Sequence, residues 1–175
     1  MPSKEKPIHI RRNLNSYGDP YISASGEVEL SRCIDCGAVY HNKRWYMDFK
    51  LPEAHVGKLK EVLCPACRRI RDRDPGGIVR LQGSFLNRHR EEIMNLIRHE
   101  EKNAISLNPL ERIIEIKDSG PEVEISTTTE KLAQKIGKAV HSAYSGDIEY
   151  RWSDDVKLIR VYWCRDDEPE GKGKR

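Results

Sequence analysis

No run of apolar residues in this chain approaches the ~20 that a membrane-spanning helix needs, so the sequence predicts no span. Residues 1–12 are polar and lack an apolar centre, and no secretory signal is read there. The expectation is a reducing, cytoplasmic setting in which disulfides do not form. There is no internal repeat. Gly76-Gly77 is not followed by the Lys-Ser/Thr pair of a phosphate-cradling loop. Carboxylates stand in pairs at Glu91-Glu92, Glu100-Glu101 and Asp154-Asp155, but none lies in a segment apolar enough to shift a pKa for acid–base work. The chain is therefore read as a binding protein and not an enzyme. Apolar residues are scarce too, 37 % against 34 % charged in 175 residues. Such a composition strains to fill one large core, and a metal-stapled module beside a small α+β domain suits it better.

Cysteine is also rare, and four of the five fall into two pairs. Cys33-Ile34-Asp35-Cys36 is followed by Gly37, and Cys64-Pro65-Ala66-Cys67 comes after a spacer of 27 residues. Two Cys-x-x-Cys turns supply four thiolates, the donor set of a closed tetrahedral structural Zn2+ site. Gly37 offers positive φ after the first turn, and Pro65 fixes φ in the second. A redox dithiol would need one such pair, not two. His41 and His55 lie in the spacer and could stand in for a sulfur, but four sulfurs already fill the tetrahedron. Cys164, the fifth, follows Trp163 in an apolar stretch and reads as packing.

Around the cysteines the sequence predicts a zinc-ribbon module over residues 32–80. A polar, flexible arm precedes it over 1–31. Val39, Tyr40, Trp45 and Tyr46 flank Asn42-Lys43 as a β-hairpin, and a ribbon plan puts each knuckle on a hairpin. Trp45 reads as part of a miniature core, whereas Tyr46 suits packing and base stacking equally. Residues 81–164 should form the second domain. A helix over 84–104, capped by Ser84, carries an apolar stripe of Leu86, Ile93, Leu96, Ile97 and Ala104. Strands at 112–117 and 122–126 enclose a turn at 118–121. Thr127-x-x-Glu130 reads as a capping box for a helix running to Tyr144. Strands at 148–152 and 156–163 close an antiparallel β-β-α-β-β sheet with one helix across a face. Residues 165–175 read as a disordered charged tail. The whole is α+β.

Net charge is only +3, so the placement of cations matters more than their number. Arg68, Arg69, Arg71 and Arg73 follow the second knuckle directly, with Asp72 and Asp74 offsetting part of their charge. Arginine forks match phosphate geometry. The alternative is a solvated helical turn with internal Arg–Asp pairs. Lys131, Lys135 and Lys138 share an arc of about 60° on the predicted helix. These seven are the candidate RNA contacts.

The doubled Cys-x-x-Cys, the run Thr128-Thr129-Glu130-Lys131-Leu132-Ala133-Gln134-Lys135-Ile136-Gly137-Lys138-Ala139, Gly146-Asp147-Ile148-Glu149 and Leu158-Ile159-Arg160-Val161 together resemble one family. This is the ribosomal large-subunit export adaptor family of archaea and eukaryotes, named for nonsense-mediated decay. The resemblance spans about the last two thirds of the chain, with one cysteine set where the family has two. It implies a short prokaryotic relative associated with the ribosome or ribosomal RNA, whose zinc ligands would be Cys33, Cys36, Cys64 and Cys67. The competing expectation is a zinc-stabilised protein–protein interaction module with no nucleic-acid partner.

Overall fold

The computed structural model describes residues 19–22 and 29–167; the expectations for 1–18, 23–28 and 168–175 lie outside these. The described chain is α+β, with two sheets and four helices. The first sheet is built from four three-residue strands, β1 (Ser31–Cys33), β2 (Val39–His41), β3 (Arg44–Tyr46) and β4 (Lys60–Val62), in the order β3-β2-β1-β4. Asn42 and Lys43 join β2 to β3 with φ of 48° and 62°. This left-handed pair matches the twist of a two-residue hairpin. Tyr40 and Trp45 sit opposite each other across the hairpin, both buried, with ring centroids 5.3 Å apart. Tyr40 and Trp45 are the aromatic part of the small core of this sheet.

Helix α1 (Pro65–Asp72) follows β4, with Cys64 as N-cap and Pro65 at its first turn. The second cysteine pair thus opens a helix, where the ribbon expectation has a second hairpin. Pro65 accounts for the difference, since its fixed φ and missing N–H suit the first position of a helix.

The second sheet has five strands: β5 (Gly77–Gln82), β6 (Ile113–Asp118), β7 (Glu122–Thr127), β8 (Asp147–Trp152) and β9 (Ile159–Cys164). Their order is β6-β7-β5-β9-β8. Helices α2 (Ser84–Arg88), α3 (Arg90–Leu107) and α4 (Glu130–Tyr144) complete it. The four predicted strands are present. However, the sheet is not wholly antiparallel, because the unpredicted β5 occupies its centre, antiparallel to β7 and parallel to β9. The expected domain boundary at residue 80 falls inside this strand. β5 and β6 are parallel with β7 between them, and β7 and β8 are parallel with β5 and β9 between them. The crossovers through α3 and α4 therefore interlock.

One face of this sheet is apolar. Val79, Leu81, Val123, Ile125, Val161 and Trp163 alternate inward, against Leu132, Ile136 and Val140 of α4 and Ile93 and Ile97 of α3. Gly137 lets α4 sit close, since a Cβ there would lie 2.6 Å from Val161 Cγ1. Two helices cover the face, not one.

Several helix ends differ from expectation. The predicted 84–104 helix breaks at His89 (φ −114°) into α2 and α3. Ser84 does not cap through its own side chain. Its N–H donates instead to Asp166 Oδ1 at 2.8 Å, and its Oγ accepts from Asp167 N at 2.8 Å. Arg165 lies over the Phe85 ring at 3.8 Å, so 165–167 are part of the fold rather than a loose tail. The cap of α4 is Thr129, whose Oγ1 accepts from Leu132 N, two residues later than the expected box. Thr127 is buried and its hydroxyl donates to Thr129 O at 2.8 Å. The arm is likewise pinned at 19–22: Arg69 Nη2 donates to Asp19 Oδ1 at 2.8 Å, and Tyr21 Oη donates to Asp72 Oδ2 at 2.9 Å. No helix among the described residues is long and apolar enough to cross a membrane.

Candidate metal centre

Cys33 ends β1, and the chain turns at once: Gly37 N donates to Cys33 O at 3.0 Å, and Cys33 N to Ala38 O at 2.8 Å. Gly37 takes φ of 76° to close this loop, a conformation costly for any residue with a Cβ. Ile34 N donates to Val62 O at 2.9 Å, which ties the first knuckle to the end of β4. Two residues further on, Cys64 caps α1 and Cys67 lies in its first turn. A helix start points consecutive N–H groups at whatever lies ahead of it, here the sulfurs.

The four Sγ atoms lie within 4.8 Å of one another, with Cys36 Sγ and Cys64 Sγ 3.8 Å apart. That is far beyond the ~2.05 Å of a disulfide bond, and all five cysteines are free thiols. Cys33, Cys64 and Cys67 are buried and Cys36 is half-buried. Cys64 N donates to Cys33 Sγ at 3.3 Å, Cys67 N to Cys64 Sγ at 3.4 Å, and Arg112 Nη1 to Cys67 Sγ at 3.4 Å. Left to themselves, four crowded thiols do not ionise together. The Cys64 thiol hydrogen-bonds to Cys36 and holds it down to about 5, while Cys64 is pushed up by that same bond and by burial. Burial drives Cys67 up to about 12. A cation at the centre of the four removes this conflict, and N–H donors aimed at sulfur favour the thiolate. The cluster can hold one metal ion.

The spacer histidines stay out of it. His41 pairs with Glu29 at 2.5 Å and meets the Phe49 ring at a tilt of 47°, and neither His41 nor His55 belongs to the sulfur cluster. Cys164 is also outside, half-buried on β9 with its thiol pushed up by burial.

The seven candidate RNA contacts divide by their surroundings. Arg69 is 7 % exposed, bonded to Asp19 and to Asp74 at 3.2 Å, with its guanidinium over the Tyr21 ring at 4.5 Å. Its fork is consumed inside the protein. Arg71 forks onto Asp35 of the first knuckle, Nε at 2.9 Å and Nη2 at 2.6 Å. Arg68 is half-buried and engaged within the fold. Arg73 takes φ of 53° as the C-cap of α1 and is exposed. Lys135 bonds Glu111 at 2.6 Å. Lys131 and Lys138 project into solvent. Among the described residues Arg73, Lys131 and Lys138 make no ion pair.

Sequence reasoning missed Arg112. It lies 45 residues beyond Cys67, at the entry to β6, where the pattern reads only as the start of a strand. Comparison with protein-family models, with curated proteins and with solved structures returned no match to this chain.

Proposed function

We propose that Cys33, Cys36, Cys64 and Cys67 hold one structural Zn2+, and that the chain is a binding protein which associates with RNA or the ribosome. The observation that carries the metal reading is the 3.8 Å separation of Cys36 and Cys64 Sγ. A tetrahedron with Zn–S of about 2.3 Å has edges of about 3.8 Å. Four sulfurs gathered in one cluster suit a soft or borderline ion in a closed site, which supplies shape and leaves no open position for chemistry.

Support for RNA comes from the exposed cations that make no ion pair among the described residues, Arg73, Lys131 and Lys138. Gly76 N donates to Thr127 O at 2.9 Å, which brings the end of α1 against the start of α4. Arg73 and Lys131 each lie a few residues from that contact, and Lys138 continues along α4. The resemblance to the export-adaptor family supports ribosomal RNA as the class of target.

The test is twofold. Native mass spectrometry of reduced protein should show one zinc per chain. Fluorescence anisotropy with single-stranded RNA should show affinity falling steeply between about 50 and 200 mM salt, because phosphate neutralisation releases counterions. Arg73→Glu with Lys131→Glu should flatten that slope without altering sequence preference. Zinc-loaded protein with no salt-dependent RNA binding, whose captured partner survives nuclease, would establish a protein-interaction module in its place.

A further inference from the structure

We infer that Arg112, distant in sequence from both Cys-x-x-Cys turns, is a positioning residue for the metal centre, and that segment 108–112 fastens that centre to the five-stranded sheet. The inference rests on the zinc reading and extends it to a residue outside the ligand set.

The donors to sulfur are unevenly supplied. Cys33 and Cys64 each accept a backbone N–H, at 3.3 and 3.4 Å. Cys67 accepts its N–H from the Arg112 side chain, at 3.4 Å, and from no other N–H among the described residues. Four thiolates around a dication leave two negative charges, and one guanidinium halves that excess. Donors to a coordinated ligand orient it and tune its basicity, so they act on the metal without touching it.

Arg112 is itself held on both sides of its backbone. Its N–H donates to Thr128 Oγ1 at 2.9 Å, and its carbonyl accepts from Thr128 N at 2.9 Å. Thr128 is buried, and its hydroxyl donates to Leu110 O at 2.5 Å. Three consecutive residues then reach three places. Leu110 packs against the core of the cysteine module. Glu111, 4 % exposed, accepts from Lys135 Nζ of α4 at 2.6 Å. Arg112 reaches Cys67. The segment leaves α3 through Asn108, whose Oδ1 accepts from Leu110 N at 3.1 Å, so it is braced at its start as well. A charged donor on such a support is preorganised for the sulfur.

The experiment measures zinc affinity of the full chain by competition with a chromophoric chelator, for the wild type, Arg112→Lys and Arg112→Met. Arg112→Met should lose about 10–100-fold in affinity, the usual cost of an outer-shell partner. Arg112→Lys should recover part of the loss, because an ammonium keeps a charged donor but not the planar fork. In the Co2+-substituted proteins, Arg112→Met should shift the sulfur-to-cobalt charge-transfer band while the tetrahedral d–d bands persist. A residue that merely supports the fold would leave that band in place. Should Arg112→Met not fold, Arg112→Lys carries both readouts. Wild-type affinity and an unmoved band in either variant would overturn the inference alone. A wild-type chain that binds no zinc would overturn the zinc reading and this one together.

Discussion

At Gly77 there is room for a hydrogen and nothing larger. A Cβ there would stand 2.4 Å from Ala133 Cβ on α4 and 2.8 Å from Thr127 Oγ1. Neither neighbour can swing away, since one is a methyl on a packed helix and the other is a buried hydroxyl. Gly77→Ala should therefore force α4 off the sheet and lower stability by about 1–3 kcal/mol, the usual cost of overpacking. Thermal unfolding followed by circular dichroism checks this; an unchanged midpoint would show that α4 yields freely. At this scale the sequence was readable where a residue's role depends on near neighbours. The four clustered cysteines declare themselves by spacing, and Gly37 and Pro65 by the turns they permit. Arg112 and Arg69 were opaque because their partners, Cys67 and Asp19, are 45 and 50 residues away. Nothing local separates an arginine that serves a sulfur or a half-buried aspartate from one that faces solvent.

Between elements, the N-terminus of α4 decides how the second crossover begins. Thr129, not Thr127, carries the cap, with extended φ and ψ of −131° and 149° and its Oγ1 turned to Leu132 N. Thr129→Ala should cost about 1 kcal/mol, the typical value for an N-cap. Thr129→Ser should restore it, because the hydroxyl is what the helix uses. Equilibrium urea unfolding of both variants decides the matter: equal midpoints for Thr129→Ala and the wild type would rule out the cap. A capping-box pattern at 127–130 is a true signal for a helix start but cannot fix which threonine turns inward. β7 extends to Thr127 and moves the choice two residues on. β5 was hidden for a related reason. Its alternation, Val79 and Leu81 inward with Arg80 and Gln82 outward, is only six residues long and lies between two glycine-marked turns. Its partner β9 begins at Ile159, far along the chain, so no hairpin signal announces it. β6–β7 and β8–β9, each joined by a short turn, were plain.

The two sheets differ in what holds them. The five-stranded sheet owns a continuous apolar core under α3 and α4, whereas the cysteine module has Ala38, Tyr40, Trp45 and Ala66 around its sulfurs and strands of three residues. A core that small does not outweigh the entropy of ordering its loops; on the proposed zinc reading, the metal supplies much of the difference. Removing zinc with a strong chelator should therefore act unequally along the chain. Backbone amides of β1–β4 and α1 should lose protection from hydrogen exchange. Those of β5, β7 and β9 should keep theirs, because each lies inside the interlocked sheet. The start of β6 should loosen with the first group, since Leu110 and Arg112 tie it to the module. Hydrogen exchange read by mass spectrometry, with and without chelator, distinguishes the cases. Uniform loss would mean that the two sheets unfold as one cooperative unit. Full retention in β1–β4 would mean that the aromatics alone hold the small sheet, with the sulfurs as passengers.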